Sequence, residues 1–169
     1  MLTDWGIRDE DVLVHSLGCS AWTAIGMDLG FMAVCECPAP SAYSAGIRSD
    51  SVWFSRSTRE AEVLVEFERF DGTDTGVRKL EDKARNLLDA AARWPKRPKL
   101  CVLSAWSKGT VSAPKTSGLI DLCRLGFKTN SGVEIPPMRD VTLLFNRLIF
   151  KSNPDRSLSL LHSLSERLQ

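Results

Sequence analysis

The segment that most constrains the fold is residues 61–70, which read AEVLVEFERF. Apolar side chains at positions 63, 65 and 67 alternate with Leu64, Glu66 and Glu68, which is the two-residue period of a β-strand. The Asp71-Gly72 step that follows favours a turn. The segment therefore predicts a strand that carries Glu66 and Glu68 on one face, roughly 7 Å apart along the chain.

Helical patterns flank this strand on both sides. Residues 9–29 have apolar positions at three- and four-residue steps, and Gly30 favours a helix end there. Residues 76–94 form a strongly amphipathic stretch that ends before Pro95 and Pro98. Further strands are predicted at residues 31–37, 51–56 and 100–106. The order helix, three strands, helix, strand predicts an α/β fold with a mixed central sheet flanked by helices.

The pattern is weaker in the last third of the chain. Residues 117–125 favour a short helix, and residues 139–150 and 157–168 have the leucine spacing of helices. The 169 residues are enough to bury one core. We therefore expect one domain over residues 1–169, with its core at about 9–106 and a mostly helical C-terminal extension at 107–169.

Composition excludes several classes of protein. No run of eighteen apolar residues occurs, so we expect no membrane-spanning helix. The acidic start MLTDWGIRDED lacks the features of a signal peptide, and a cytoplasmic location is expected. The five irregularly spaced cysteines do not predict a disulfide framework. Cys35-Glu36-Cys37 offers thiols for a soft metal, but small buried side chains are the preferred interpretation because no CxxC motif or nearby histidine completes the set.

Charge is distributed unevenly along the chain. Residues 1–92 carry a formal charge of −7 and residues 93–169 carry +8, which gives a net charge of +1. An acidic half that holds cations beside a basic half that holds phosphates is typical of a nucleic-acid enzyme. The alternative is that the two halves simply attract each other. The run Lys96-Arg97-Pro98-Lys99 is likewise open to phosphate contact or to a solubilising loop.

Asp50 stands at the start of the strand that precedes residues 61–70. A tight hairpin with a two-residue tip at 58–59 would place Asp50 opposite Phe67. Glu66 and Glu68 would then be its diagonal neighbours, about 5 to 8 Å away. Three carboxylates this close repel each other, and a hard divalent cation such as Mg²⁺ or Mn²⁺ relieves the repulsion. The alternative is a solvated strand face whose acids pair with arginines.

The order of these elements resembles the PD-(D/E)xK nuclease superfamily. The resemblance rests on Ser49-Asp50 at a strand start, a hairpin, Glu66-Phe67-Glu68, an amphipathic helix and a further strand, and it covers about residues 9–106. It implies a restriction-endonuclease-like α-β-β-β-α-β core in which Asp50 and Glu66 bind metal. Glu68 stands where the motif has the lysine that activates the attacking water. In members that carry Glu-x-Glu, the second acid binds metal or acts as the base, and this role is implied for Glu68.

Three residues on the helices complete the predicted site. Lys79 and Lys83 lie four residues apart on one helix face, so either could supply the missing ammonium. Glu10 stands where some family members add a metal ligand, although an acid in the first turn of a helix also has a dipole explanation. His15 lies within a predicted helix and is expected to be structural.

The function that the resemblance implies is a Mg²⁺- or Mn²⁺-dependent, endonuclease-like hydrolase. It would cut phosphodiester bonds in nucleic acid, with DNA expected ahead of RNA, and would use a homodimer or a partner protein to select its site. If neither lysine compensates for the motif lysine, the alternative is a catalytically inactive interaction protein on the same fold, such as a subunit or inhibitor of a nucleic-acid machine.

Overall fold

The computed structural model describes residues 10–40, 46–155 and 157–169, and over these residues three helices accompany a six-stranded mixed sheet and a two-stranded one. The elements in chain order are α1 (Glu10–Asp28), β1 (Met32–Pro38), β2 (Arg48–Phe54), β3 (Ala61–Arg69), α2 (Asp74–Arg93), β4 (Leu100–Lys108), α3 (Ser117–Leu125), β5 (Phe127–Lys128), β6 (Glu134–Ile135), β7 (Thr142–Ser152) and β8 (Leu158–Arg167). The predicted α/β class and the predicted order of elements from α1 to α3 are confirmed.

The large sheet has the strand order β1-β2-β3-β4-β7-β8. Strand β2 is antiparallel to β1 and β3, while β3, β4 and β7 run parallel to one another and β8 is antiparallel to β7. Two parallel neighbours cannot be joined by a hairpin, and α2 makes the required crossover from β3 to β4. Strand β4 is central and buried along almost its whole length, as its apolar sequence predicts.

The helix α2 covers one face of the sheet. It begins at a capped end, where the Thr73 side chain accepts a hydrogen bond from the Gly76 amide. Its buried stripe includes Leu80, Leu87 and Leu88, which pack in one core with the strand residues that face them. Because Lys83 lies beside this stripe on the helix, its side chain starts close to the sheet.

The helix α1 packs against the opposite face, over β1, β2 and β3. Two glycines allow a close approach. A Cβ at position 18 would lie 2.0 Å from Cε1 of Phe67, and a Cβ at position 26 would lie 2.8 Å from the ring of Trp53. The absence of side chains at Gly18 and Gly26 therefore sets the distance between α1 and the sheet, and with it the positions of the other α1 side chains.

The prediction of a mostly helical C-terminal extension is wrong, because the strands β7 and β8 occupy most of residues 139–150 and 157–168. Strand β7 has core contacts on both faces: Phe145 packs with the core under α2, and Leu148 packs with the one under α1. A strand buried on both faces has apolar residues at most positions, so a subset of them also fits a helical spacing. In β8, a register shift that leaves Leu161 without a partner in β7 breaks the two-residue alternation.

The predicted register of the β2–β3 hairpin is wrong by one residue. Ser51 pairs with Val65, where a two-residue tip required position 66. The connection is longer than expected, because it closes with a hydrogen bond from the Ser55 amide to the Glu60 carbonyl and includes Arg59 at a φ of 61°. A shift between Trp53 and Phe54 accompanies this change.

The basic run at residues 96–99 is engaged with acids of the same chain. Its ion pairs are Lys96 with Glu60, Arg97 with Asp140 and Lys99 with Glu62. Two of these three pairs join the acidic half of the chain to the basic half. For this run, the interpretation that the two halves attract each other is therefore favoured. None of the helices in the described ranges is long and apolar enough to cross a bilayer.

The substitution Gly18→Ala should destabilise the protein by about 1 to 3 kcal/mol, because the added methyl group has to displace the Phe67 ring from a packed core. Chemical denaturation followed by circular dichroism measures this change. The matched control is Gly46→Ala, since position 46 has no neighbouring atom within 4 Å of an added Cβ. Equal stabilities of the two variants would contradict the close approach of α1.

Candidate active site

The two predicted metal ligands Asp50 and Glu66 are both buried, with 5% and 1% of their surfaces exposed. Asp50 lies near the start of β2 and Glu66 lies in the second half of the neighbouring strand β3. Buried carboxylates are unusual in a folded protein unless they are paired or have a functional role. Their surroundings therefore decide what these residues can do.

The Asp50 carboxylate has a partner at each oxygen. Its Oδ2 accepts a hydrogen bond of 2.6 Å from the Phe67 amide, and its Oδ1 lies 3.5 Å from Nε2 of His15. Burial raises the pKa of Asp50, but the hydrogen bonds from His15 and from the Phe67 amide, together with the charge of Lys83, lower it further, so the net pKa lies below the ordinary value. Asp50 is therefore ionised at neutral pH.

The Glu66 carboxylate is held at one oxygen alone. Lys83 donates a 2.9 Å hydrogen bond from Nζ to Oε2. The other oxygen, Oε1, is buried and receives no hydrogen bond from any group in the described part of the chain. Burial and the charge of Asp50 raise the pKa of Glu66 to about 8, against the opposing effect of Lys83. An acceptor buried without a donor is costly, so a bound water, an ion or a catalytic role is expected there.

Of the two candidate lysines, Lys83 reaches the site. Burial lowers the pKa of Lys83, but the charges of Glu66 and Asp50 raise it to about 12, so the ammonium stays charged. Lys79, one turn earlier on α2, is exposed to solvent. The structure thus assembles Asp50, Glu66 and Lys83 from β2, β3 and α2.

Glu68 lies at the rim of this group. It is partly exposed, and its Oε1 accepts a 2.9 Å hydrogen bond from the Arg69 amide. Its position two residues after Glu66 on β3 puts it on the same face of the sheet, and its charge contributes to the raised pKa of Lys83. The remaining predicted ligand, Glu10, is in α1, but its side chain lies outside the described residues.

Three residues that the sequence reasoning did not assign to the site also lie beside Asp50. The potential ligand atoms of His15, Cys19, Glu36 and Asp50 are all within 4.8 Å of one another, and Glu66 and Glu68 do not belong to this described group. His15 was expected to be structural. Its four-residue spacing from Cys19, which puts both on one side of a helix, is the sequence signal that points to them.

The electrostatics of His15 and Cys19 follow from the same contacts. Hydrogen bonds to Asp50 and to Cys19 raise the pKa of His15 to about 10, so the imidazole is positively charged at neutral pH. Burial raises the pKa of the Cys19 thiol. With Lys83, the protonated His15 gives two cations around the two buried carboxylates.

The chain matches no protein-family model, and no match was found among curated proteins or solved structures.

The substitution Glu66→Gln should stabilise the metal-free protein at alkaline pH. Because the pKa of Glu66 rises from 4.5 to about 8 on folding, the folded chain binds a proton that the unfolded chain releases between these pH values. Wild-type stability therefore falls as pH rises through this range, and the neutral amide removes the loss. With a chelator at pH 8, the melting temperature of the variant should exceed that of the wild type by about 2 °C or more.

At pH 5 the difference between the two proteins should shrink, since Glu66 is then protonated in the folded wild type. Glu62→Gln is the control, because Glu62 is on the same strand but pairs with the exposed Lys99. This control should change stability by less than about 0.5 kcal/mol. A Glu66→Gln variant less stable than the wild type at pH 8 would show that the ionised carboxylate is favoured where it lies.

Proposed function

We propose that this chain is a metal-dependent nuclease of the PD-(D/E)xK type, with DNA expected ahead of RNA as its substrate. The proposal is supported by the order α1, β1, β2, β3, α2, β4 and by the mixed sheet on which these elements lie. It is supported further by the place of the acids, because Asp50 and Glu66 occupy the two neighbouring strands that carry the acids of that superfamily's motif.

The proposal depends most on the surroundings of one atom, Oε1 of Glu66. This oxygen is buried beside the ionised Asp50, and no donor in the described residues reaches it. A buried carboxylate with an unpartnered oxygen, close enough to Asp50 for their charges to interact, is a donor set that suits a hard divalent cation. The residues present therefore fit Mg²⁺ or Mn²⁺.

Asp50 and Glu66 would hold this cation, and Glu68 at the rim would be a further ligand or the general base. A divalent cation in such a site activates water and stabilises negative charge on a phosphoryl oxygen. The protein fixes its own part of the site in advance: the Phe67 amide orients Asp50, and Lys83 orients Glu66. Such preorganisation reduces the rearrangement needed when the substrate binds.

Lys83 supplies the ammonium that the sequence motif lacks at position 68. It is 28% exposed, so one side of the side chain contacts Glu66 and another faces solvent. From this position it can donate to an attacking water or to a phosphate oxygen and offset the negative charge that builds up there. In this proposal the ammonium comes from the helix α2, while the strand position carries Glu68.

The test is cleavage of plasmid DNA by the purified chain with Mg²⁺ or Mn²⁺. Asp50→Asn, Glu66→Gln and Lys83→Ala should each lower the cleavage rate by about 100-fold or more, as expected when one charged group at a reacting phosphate is removed. The measurement is the initial rate of nicking, with a single-stranded DNA and an RNA of equal length in parallel to define the substrate.

Lys79→Ala is the matched control, because it removes the same charge from an exposed position one turn away on α2. This variant should retain the wild-type rate. Loss of activity in Glu66→Gln would not be due to unfolding if that variant has the raised melting temperature expected above. A wild-type chain that cuts no nucleic acid with either metal would contradict the proposal and favour the inactive interaction protein.

A further inference from the structure

A second donor set lies next to the proposed catalytic pair, at the junction of α1, β1 and β2. It consists of an imidazole, a thiol and two carboxylates, from His15, Cys19, Glu36 and Asp50, with all potential ligand atoms within 4.8 Å of one another. We call these four residues the His–Cys cluster. Only Asp50 is shared with the site proposed for phosphodiester cleavage.

Two distances within the cluster match the spacing of donors around one four-coordinate metal. Nε2 of His15 is 3.5 Å from Sγ of Cys19 and 3.5 Å from Oδ1 of Asp50. Donors bound to zinc at ordinary bond lengths in a tetrahedron are separated by about 3.6 Å for nitrogen and sulfur and about 3.4 Å for nitrogen and oxygen. In the metal-free protein these two contacts hold a protonated imidazole, and an ion that displaced its proton would find the thiol of Cys19 and the carboxylate of Asp50 at about the separations that a shared ion requires.

Glu36 enters the cluster through an unusual backbone conformation. Its φ is 51°, which is uncommon for a residue with a side chain. It lies between the β1–β2 pairs Cys35 with Ser51 and Cys37 with Ser49, and so faces Asp50 across the two strands. Strain of this kind persists where the surrounding structure enforces it and often accompanies a ligand site.

We propose that the His–Cys cluster binds a transition-metal ion of the Zn²⁺ type. A mixed nitrogen, sulfur and oxygen set is suited to Zn²⁺ or Co²⁺, whereas Mg²⁺ takes oxygen ligands. Four protein ligands leave no open position, which is the arrangement of a structural zinc site. The ion would join α1 to the start of β2 and fix Asp50 for its other contacts. This binding requires no phosphodiester cleavage, so it goes beyond the function proposed above.

The thiols of Cys19 and Cys35 differ in exposure, and only one of them belongs to the cluster. Cys35 is exposed and adjacent in sequence to Glu36, yet Cys19, which is buried on α1, is the cysteine in the cluster. An exposed thiol is the more accessible place for an adventitious metal. The proposal therefore predicts that the buried cysteine, rather than the accessible one, determines metal binding.

The test is a Co²⁺ titration of the reduced, chelator-treated full chain at about pH 8, where the metal has to displace the protons held by His15 and Cys19. One equivalent of Co²⁺ should produce the thiolate-to-metal charge-transfer band and the intense visible bands of a tetrahedral site, and Zn²⁺ should abolish both by displacement. Cys19→Ser should lose the charge-transfer band, and Cys35→Ser should retain it.

Because Cys19 is buried, Cys19→Ser could lose metal binding through misfolding, and a second variant is needed that changes an exposed ligand. Glu36→Ala changes an exposed side chain and should weaken Co²⁺ binding at least about tenfold, the lower end of what changes around metal sites cost. Failure to bind one equivalent of Co²⁺, a charge-transfer band that survives Cys19→Ser, or a band lost in Cys35→Ser would each overturn the proposal.

The cobalt spectrum also separates this inference from the nuclease proposal. Glu66→Gln leaves all four cluster residues in place, so its spectrum should match that of the wild type even if cleavage is lost. A chain with the full spectrum and no cleavage would contradict the nuclease proposal alone. A chain that cuts DNA and gives no tetrahedral cobalt spectrum would contradict the His–Cys cluster alone.

Discussion

The carboxylate of Asp50 accepts a hydrogen bond from the Phe67 amide and faces His15, so one side chain connects β2, β3 and α1. Its negative charge also raises the pKa of the neighbouring Glu66 and of Lys83. The orientation of Asp50 depends on how closely α1 approaches the sheet, which Gly18 permits by contacting the Phe67 ring. The packing of α1 on one face of the sheet is therefore coupled to the charges of Glu66 and Lys83, which lie beside α2 on the other face.

The order of elements from α1 to α3 could be read from the sequence because each element there has one dominant period. The α2 stripe has helical spacing, β3 alternates, and proline or glycine residues separate the segments. The strands β7 and β8 could not be read in this way. Apolar residues on both faces of β7 and the extra residue at Leu161 in β8 remove the two-residue alternation that identifies a strand.

The proximity of some of the predicted site residues could be foreseen for a similar reason. Asp50 and Glu66 could be placed near each other because two adjacent strands determine their separation to within one register step. Lys83 and Lys79 were both candidates. Choosing between them required knowing which side of α2 faces the sheet, and this orientation is not given by the spacing of the two lysines. His15 and Glu36 could not be associated with Asp50 from spacing alone, since their proximity depends on the packing of α1 and on the left-handed backbone of Glu36.

The ion pairs at the N-terminal end of β3 affect how a polyanion would be drawn to this molecule. Lys99 is bound to Glu62, which is four residues, or about 13 Å, from Glu66 along the strand. The partner Glu62 neutralises the charge of Lys99. The Debye length at physiological ionic strength is about 8 Å, so salt also screens Lys99 from the end of β3 that carries Glu66. Attraction of a phosphate toward Glu66 then depends on cations nearer to that end of the strand, such as Lys83.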